Sequence, residues 1–279
     1  MNRLLLSLLF FLSIFAHSAF AQEVPEVNWA ELQKTKPWEA TEQWEPVPPK
    51  VTVGQWSQPP SDAIILFDGT NLDHWHRPKY AYGVNMETVE AIIKAKTENP
   101  SHSPATWNIK DGALVVNPNN GAIETKKAFG NLQLHIEWLA PVDEGKEGQG
   151  YSNSGVFFMG LYEVQILNSY ENTTYPNGQA GSLYKQHIPM VNASRPPGEW
   201  QAYDIIFNAP IFKTDGSLEK PAYVTVLHNG VLIQNHVELK GPCIYIGQPE
   251  YTAHPTKMPL LLQDHRDQVR FRNIWVREF

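Results

Sequence analysis

The sequence predicts an all-β protein: a two-sheet sandwich or jelly roll in one domain, with an irregular N-terminal arm and one short helix. Three observations point there. Turn formers and large aromatics are abundant, with 22 Pro, 18 Gly, 9 Trp and 11 Tyr in 279 residues. Apolar residues recur in short runs of period two, broken by Asp-Gly and Asn-Gly turns, which is the strand-and-hairpin signature. Only residues 86–97 carry a good helical pattern. With 42% hydrophobic and 18% charged positions, the chain can fill a core and is not disordered.

Met1 to Ala21 reads as a cleavable secretory signal. Arg3 supplies the positive start, Leu4 to Phe15 is apolar, and Ala19-Phe20-Ala21 fits the cleavage rule, placing the cut before Gln22. The apolar run is too short to span a bilayer comfortably, and no cysteine lies near the cut to take a lipid. The expectation is a periplasmic or secreted bacterial protein with no membrane anchor in the mature chain. Residues 22–61 form a Pro- and Trp-rich arm. Pro48-Pro49 and Pro59-Pro60 forbid long regular elements there, and Trp29, Trp38, Trp44 and Trp56 are expected to pin the arm onto the domain.

The domain proper spans 62–279. It opens with a buried strand, Ala63 to Phe67. Met86 to Thr97 is the helix, with Asn85 as its cap and Pro100 beyond its end. Trp107 to Val116 is a hairpin around Asp111-Gly112. Leu132 to Leu139 alternates, with Leu132, Leu134, Ile136 and Trp138 on one face and Gln133, His135 and Glu137 on the other. Gly155 to Met159 pairs with Leu161 to Leu167. Ala202 to Asn208 follows, then a hairpin of Val224 to Leu227 and Val231 to Gln234 around Asn229-Gly230. Pro259 to Gln263 and Val269 to Val276 close the chain.

Charge and cysteine usage exclude several functions. The balance is 22 basic to 29 acidic residues, a net charge of −7, without a basic run. Nucleic acid is therefore not an expected partner. The single Cys243 excludes an intrachain disulfide and a Cys-rich zinc site, and reads as a buried, inert thiol. There is no H-E-x-x-H, Walker loop, G-x-G-x-x-G or G-x-S-x-G.

Tyr151 to Asn168 carries the chemistry. Strand period two puts Glu163 and Gln165 on one face, between apolar Val164 and Ile166 on the other. Such a pair is costly unless that face is polar or wet. Asn153-Ser154 adds polar groups beside Gly155, where backbone can approach a ligand, and Glu137 repeats the pattern. Either a solvent-facing outer sheet or a concave polar sheet accounts for this. Retaining sandwich glycosidases carry Glu-x-Asp-x-x-Glu on such a strand, whereas this run is Glu163-Val164-Gln165-Ile166-Leu167-Asn168. Without the second and third acids, the retaining carboxylate pair is lost. Leu261-Leu262-Gln263-Asp264-His265 delivers three polar groups at a strand end. His265 is the best general base by its free pKa, and Asp264 either orients it or ends the strand. Arg270 and Arg272 suit either an oxyanion or solvent. Tyr184 and Trp200 offer aromatic faces for sugar stacking or for core filling. Histidines and carboxylates on separate strands could still hold one divalent ion.

Several motifs together resemble the secreted bacterial 3-keto-disaccharide hydrolase family. They are Leu66-Phe67-Asp68-Gly69 with Leu72 and Trp75, Asn153-Ser154-Gly155-Val156, Tyr162 to Leu167, Ala180 to Tyr184, Pro197 to Trp200, His228-Asn229-Gly230, and Leu262 to His265 followed by Phe271 to Ile274. Arg266-Asp267 stands where many relatives have a Gly-led turn, and the helix around 86–97 looks like an insertion. The resemblance implies a concanavalin-like, LamG-like jelly roll acting on 3-keto-glycosides. A C3 ketone acidifies the C2 proton; a base removes it, the enolate expels the C1 group, and water adds back. It implies His265, Glu163 and Glu137 as the catalytic set, with His265 or Glu163 as base or acid. Glu137, Gln165 and Arg272 would position the sugar or a metal, and Asn153, Tyr184 and Gln263 would hold hydroxyls. The implied partner is a small 3-keto sugar, and one divalent metal ion would suit the enolate as Lewis acid. A noncatalytic carbohydrate-binding module on the same fold is the alternative.

Overall fold

The computed structural model describes residues 28–35, 38, 41–55, 57–79, 88–98 and 102–279. The expected leader, Trp56, Asn85 and Pro100 lie outside the described residues. The chain divides into two compact units between Lys50 and Val51.

The first unit departs from the expected irregular arm by holding a helix, α1 (Trp29–Thr35), with Glu31 in its first turn and Lys34 in its last, both favourable to the helix dipole. Its described tryptophans, Trp29, Trp38 and Trp44, are 50%, 70% and 79% exposed. Every residue of this unit whose burial is described is exposed. The rest of the expected arm, residues 51–61, belongs to the second unit and is fastened through Ser57. The Ser57 carbonyl accepts from Trp275 Nε1 at 3.1 Å and Asn273 Nδ2 at 2.9 Å, while Ser57 Oγ donates to Glu137 at 3.0 Å.

The second unit is all-β. Its strands are β1 (Ile64–Phe67), β2 (Trp75–Pro78), β3 (His102–Pro104), β4 (Asn108–Lys110), β5 (Ala113–Val115), β6 (Ile123–Phe129), β7 (Leu132–Leu139), β8 (Ser154–Phe158), β9 (Tyr162–Ile166), β10 (Trp200–Asn208), β11 (Ile211–Phe212), β12 (Leu218–Lys220), β13 (Tyr223–His228), β14 (Val231–Glu238), β15 (Met258–Leu262) and β16 (Arg270–Glu278). They form two antiparallel sheets packed as a jelly-roll sandwich. One runs β14-β13-β10-β7-β16-β5-β4, with β1 also on β16; the other runs β3-β2-β6-β15-β8-β9. The pair β11-β12 stands apart.

The expected alternation decides which side chains face inward. Leu132, Leu134, Ile136 and Trp138 of β7 meet Val156 and Phe158 of β8 and Tyr162, Val164 and Ile166 of β9 in one core cluster. Phe158 stacks on Phe207 of β10 at 4.7 Å between centroids, across the two sheets. Each such side chain contributes about 1.5–3 kcal/mol by leaving water. The two expected hairpins close on left-handed turns, Asp111-Gly112 (φ 53° and 71°) and Asn229-Gly230 (φ 53° and 80°).

The helix, α2 (Val89–Thr97), begins later than the pattern predicted. Thr88 caps it, its Oγ1 accepting from Ala91 N at 3.2 Å. Ile92 and Ile93 are its buried stripe. No described helix is long and apolar enough to cross a membrane. The periodicity did not disclose β2, β3 and β6. β2 and β3 are short and end at proline, and a bulge where β15 passes β6 interrupts the latter's alternation.

Candidate functional site

On β9 the core takes Tyr162, Val164 and Ile166, so Glu163 and Gln165 must face outward from the six-stranded sheet. They are nevertheless buried, at 6% and 2% exposure. Loops cover them. Cys243 lies with Ala122, Phe157 and Leu261 in a small apolar cluster on this outer face, and Tyr184 packs against it.

Strand register sets the layout. Glu163 is paired with Phe157, Phe157 with Leu261, Leu261 with Glu124, and Glu124 with His76. Glu163 and Glu124 are therefore three strand steps apart, roughly 14 Å. In the adjacent row Gln165 is paired with Gly155, whose carbonyl accepts from Gln263 N at 3.0 Å.

Gly155 makes room for the carboxyl. A Cβ there would overlap Glu163 Oε1 and come within 2.8 Å of Phe157 Cε2. Gly155→Ala is expected to displace Glu163, costing on the order of 1–3 kcal/mol by overpacking, and, on the reaction proposed below, to lower turnover at least about tenfold. Thermal unfolding and an activity assay check this; a variant as stable and as active as wild type contradicts the cradle.

Burial dominates the electrostatics of Glu163. It pushes the carboxyl pKa up to about 8, against the opposing pull of the Cys243 thiol, which donates to Oε2 at 2.9 Å. Burial, and then the Glu163 charge, raise the Cys243 pKa, so it stays a thiol. Cys243 is thus buried, as expected, but it is the carboxyl's hydrogen-bond donor. Burial and its neighbour Tyr175, whose hydroxyl lies 2.7 Å away, also raise the Tyr184 phenol.

Carboxamides line the next row. Gln165 Nε2 donates to Asn153 Oδ1 at 3.3 Å, and Asn153 Nδ2 to the Gln149 carbonyl at 2.9 Å. Gln263 Oε1 is buried with no hydrogen-bond partner among the described residues, an acceptor left for a ligand or water. Asp264 and Asp267 are structural. Asp264 accepts from Gly121 N at 2.9 Å and Arg266 N at 2.8 Å, so it does not orient His265. Asp267 accepts from Asn153 N at 2.7 Å and from Lys146 Nζ. Arg266 holds the left-handed backbone (φ 72°) that suits glycine, and Asp267 then anchors the rim to Asn153. His265 is exposed on this loop just past β15.

Glu163, Gln165, Asn153, Tyr184 and Gln263 therefore share one neighbourhood, with His265 on the loop that follows Gln263. Glu137 and Arg272 do not join them. They are register partners on β7 and β16, on the outer face of the opposite sheet. There Glu137 accepts from Arg272 Nε at 2.6 Å and from Asn273 Nδ2 at 2.9 Å, and Trp200 stacks over the Arg272 guanidinium at 4.1 Å. His135 Nδ1 meets Asp204 at 2.6 Å in the same network. Period two puts a residue on the outside of a sheet but not on the outside of a particular one. That is why the expected catalytic set splits.

The only carboxylate in register with Glu163 along this row is Glu124. A separation of roughly 14 Å exceeds the ~5–5.5 Å of a retaining pair and the ~6.5–9.5 Å of an inverting pair. The face of β9 offers one carboxyl, Glu163, shielded from water, beside carboxamides that can bind hydroxyls or an enolate oxygen, while the nearby Asp264 and Asp267 are engaged by backbone N–H groups and Lys146. At the far end of the row, His76, His102 and Glu124 gather, a cluster whose sequence signal was only that histidine and carboxylate lie on separate strands.

Residues 62–277 match the model of the 3-keto-alpha-glucoside-1,2-lyase-like domain. A candidate glycosyl hydrolase from Parabacteroides distasonis, known from a crystal structure, is 43% identical, with 87% of this chain and 96% of that chain covered and a TM-score of 0.75. A second from the same organism is 20% identical over 78% of this chain and 94% of its own, with a TM-score of 0.52, a likeness of fold alone. No curated protein matches the chain.

Proposed function

The chain belongs to the 3-keto-alpha-glucoside-1,2-lyase-like family, and from that premise we propose that it cleaves the glycosidic bond of 3-keto-glycosides or 3-keto-disaccharides by C2 proton abstraction and elimination. The buried Glu163 carboxyl, with no second carboxylate within pairing distance along its strand row, carries this reading. A C3 ketone makes the C2 proton acidic, so cleavage needs a base and a partner for the enolate oxygen, not a carboxylate pair. A carboxyl held near pKa 8 is a stronger base, once ionised, than an ordinary glutamate.

Glu163 takes the C2 proton. The C–H pair becomes the enolate, which hydrogen bonds from Gln165 and Asn153 stabilise. The enolate collapses to a C1–C2 double bond as the C1–O bond breaks, and a proton from His265 on the rim neutralises the departing oxygen. Addition of water to the unsaturated keto sugar then gives net hydrolysis. Gln263 Oε1 accepts from a sugar hydroxyl, and Tyr184 supplies a stacking face. The same reading places the chain outside the cytoplasm after cleavage behind Ala21, which N-terminal sequencing of the exported protein tests.

The mature protein incubated with a 3-keto-disaccharide and with its unoxidised parent is expected to cleave the oxidised sugar alone. Cleavage of the parent at a similar rate overturns the proposal in favour of an ordinary glycosidase. Binding of either sugar without cleavage overturns it in favour of a noncatalytic module.

A further inference from the structure

Three side chains from three adjacent strands converge on a cavity of about 430 Å³ at the far end of the outer face. His76 on β2 and Glu124 on β6 are register partners, and Nε2 of the histidine lies 3.0 Å from Oε1 of the carboxylate. His102 on β3 stacks its ring on His76, with centroids 4.0 Å apart and planes inclined by 17°. One ligand atom from each residue lies within 4.8 Å of the other two. Glu124 is 3% exposed and its second oxygen is held by Lys96 Nζ, which fixes the carboxylate from behind.

We propose that His76, His102 and Glu124 bind one divalent transition-metal ion of the zinc or cobalt type, with its remaining positions open to the cavity. Two imidazoles and one carboxylate are the three-ligand set of an open zinc site, with bonds of about 2.0–2.2 Å. Ligand atoms around such a tetrahedral ion are separated by about 3.3 Å, close to the 3.0 Å already present between His76 and Glu124. Small rotations of the exposed His102 ring bring in the third donor. The Glu124–Lys96 contact supplies the outer hydrogen bond that orients a ligating carboxylate. The choice of metal follows from the donors and the rim. Two nitrogen donors favour zinc, cobalt or nickel over calcium or magnesium. Lys79, Lys126 and Lys257 also line the cavity, and their charge disfavours a hard cation held by electrostatics alone. The site is separate from the Glu163 carboxyl and stands whether or not the cleavage reaction does.

Cobalt(II) titration of the metal-stripped full-length protein reads the ion directly through its visible absorption, without substrate. One equivalent is expected to bind, magnesium and calcium are expected not to displace it, and zinc is expected to do so. His102→Ala, a change at an exposed position that keeps the fold by circular dichroism, is expected to weaken binding at least about tenfold. His236→Ala, at a histidine outside the cluster, is expected to leave binding unchanged. Absence of one-to-one binding by wild type, wild-type affinity in His102→Ala, or loss of binding in His236→Ala each overturns the proposal.

Discussion

Glu163→Gln is expected to lower turnover of a 3-keto-disaccharide by roughly 10²- to 10⁴-fold while making the protein more stable at neutral pH. The activity loss follows because an amide cannot take the C2 proton. The stability gain follows from linkage. Burial raises the folded pKa of Glu163 to about 8, above its ordinary value of 4.5. Below pH 4.5 both folded and unfolded chains are protonated and the group costs nothing. Between 4.5 and about 8 the unfolded chain ionises and the folded chain does not, so wild type loses stability as pH rises. The cost grows by about 1.4 kcal/mol per pH unit and reaches ~3 kcal/mol at pH 7. Glutamine has no such slope and still accepts from the Cys243 thiol. Urea unfolding of both proteins at pH 5 and pH 7.5, beside steady-state rates, checks the pair of effects. Retained turnover removes Glu163 from the reaction, and a stability difference equal at both pH values removes the buried neutral carboxyl. In wild type, kcat/KM is expected to rise about tenfold per pH unit toward about pH 8, where half of the base is ionised, and to level off above it.

The opposite outcome is expected at the other glutamate. Glu137→Gln should cost about 2–4 kcal/mol of stability and leave turnover per folded molecule unchanged. Burial works against the Glu137 charge, but His135, Asn273 and Arg272 outweigh it and hold the pKa at about 2. Burial likewise opposes the His135 charge and is outweighed by Asp204 and Glu137, which lift it to about 9. The Glu137 contribution is present above pH 4.5 and lost as pH falls through about 2. The His135 contribution is complete below 6.5 and lost as pH rises through about 9. The network is therefore strongest between about pH 4.5 and 6.5, and the variant should lose most there. It should also loosen residues 51–61, because Ser57 Oγ loses its charged acceptor. Denaturation curves across pH and hydrogen exchange at Ser57 measure this. Impaired turnover in a variant of wild-type stability would place Glu137 in the chemistry after all.

The strands were legible wherever alternation ran uninterrupted, as in Leu132 to Leu139, and wherever a turn had to be left-handed, as at Asn229-Gly230. In both cases the constraint is local, set by pleat geometry and by φ. The strand His76 lies on could not be read, because four residues ending in Pro78 are too few to show a period. The helix start lay later than expected because several polar residues precede the apolar stripe, and only the packed helix shows that Thr88 caps it.

The sequence by itself determined that this is an all-β sandwich, that Glu163 and Gln165 share a face, and that no retaining carboxylate pair lies along their strand, because side-chain direction within one strand follows from its pleat. Only the tertiary structure decided that Glu137 and Arg272 face away from Glu163, that Gly155 and Cys243 shape its carboxyl, and that His76, His102 and Glu124 meet. Those facts depend on which strands become neighbours and in what register, and that is fixed by packing between residues far apart in the chain.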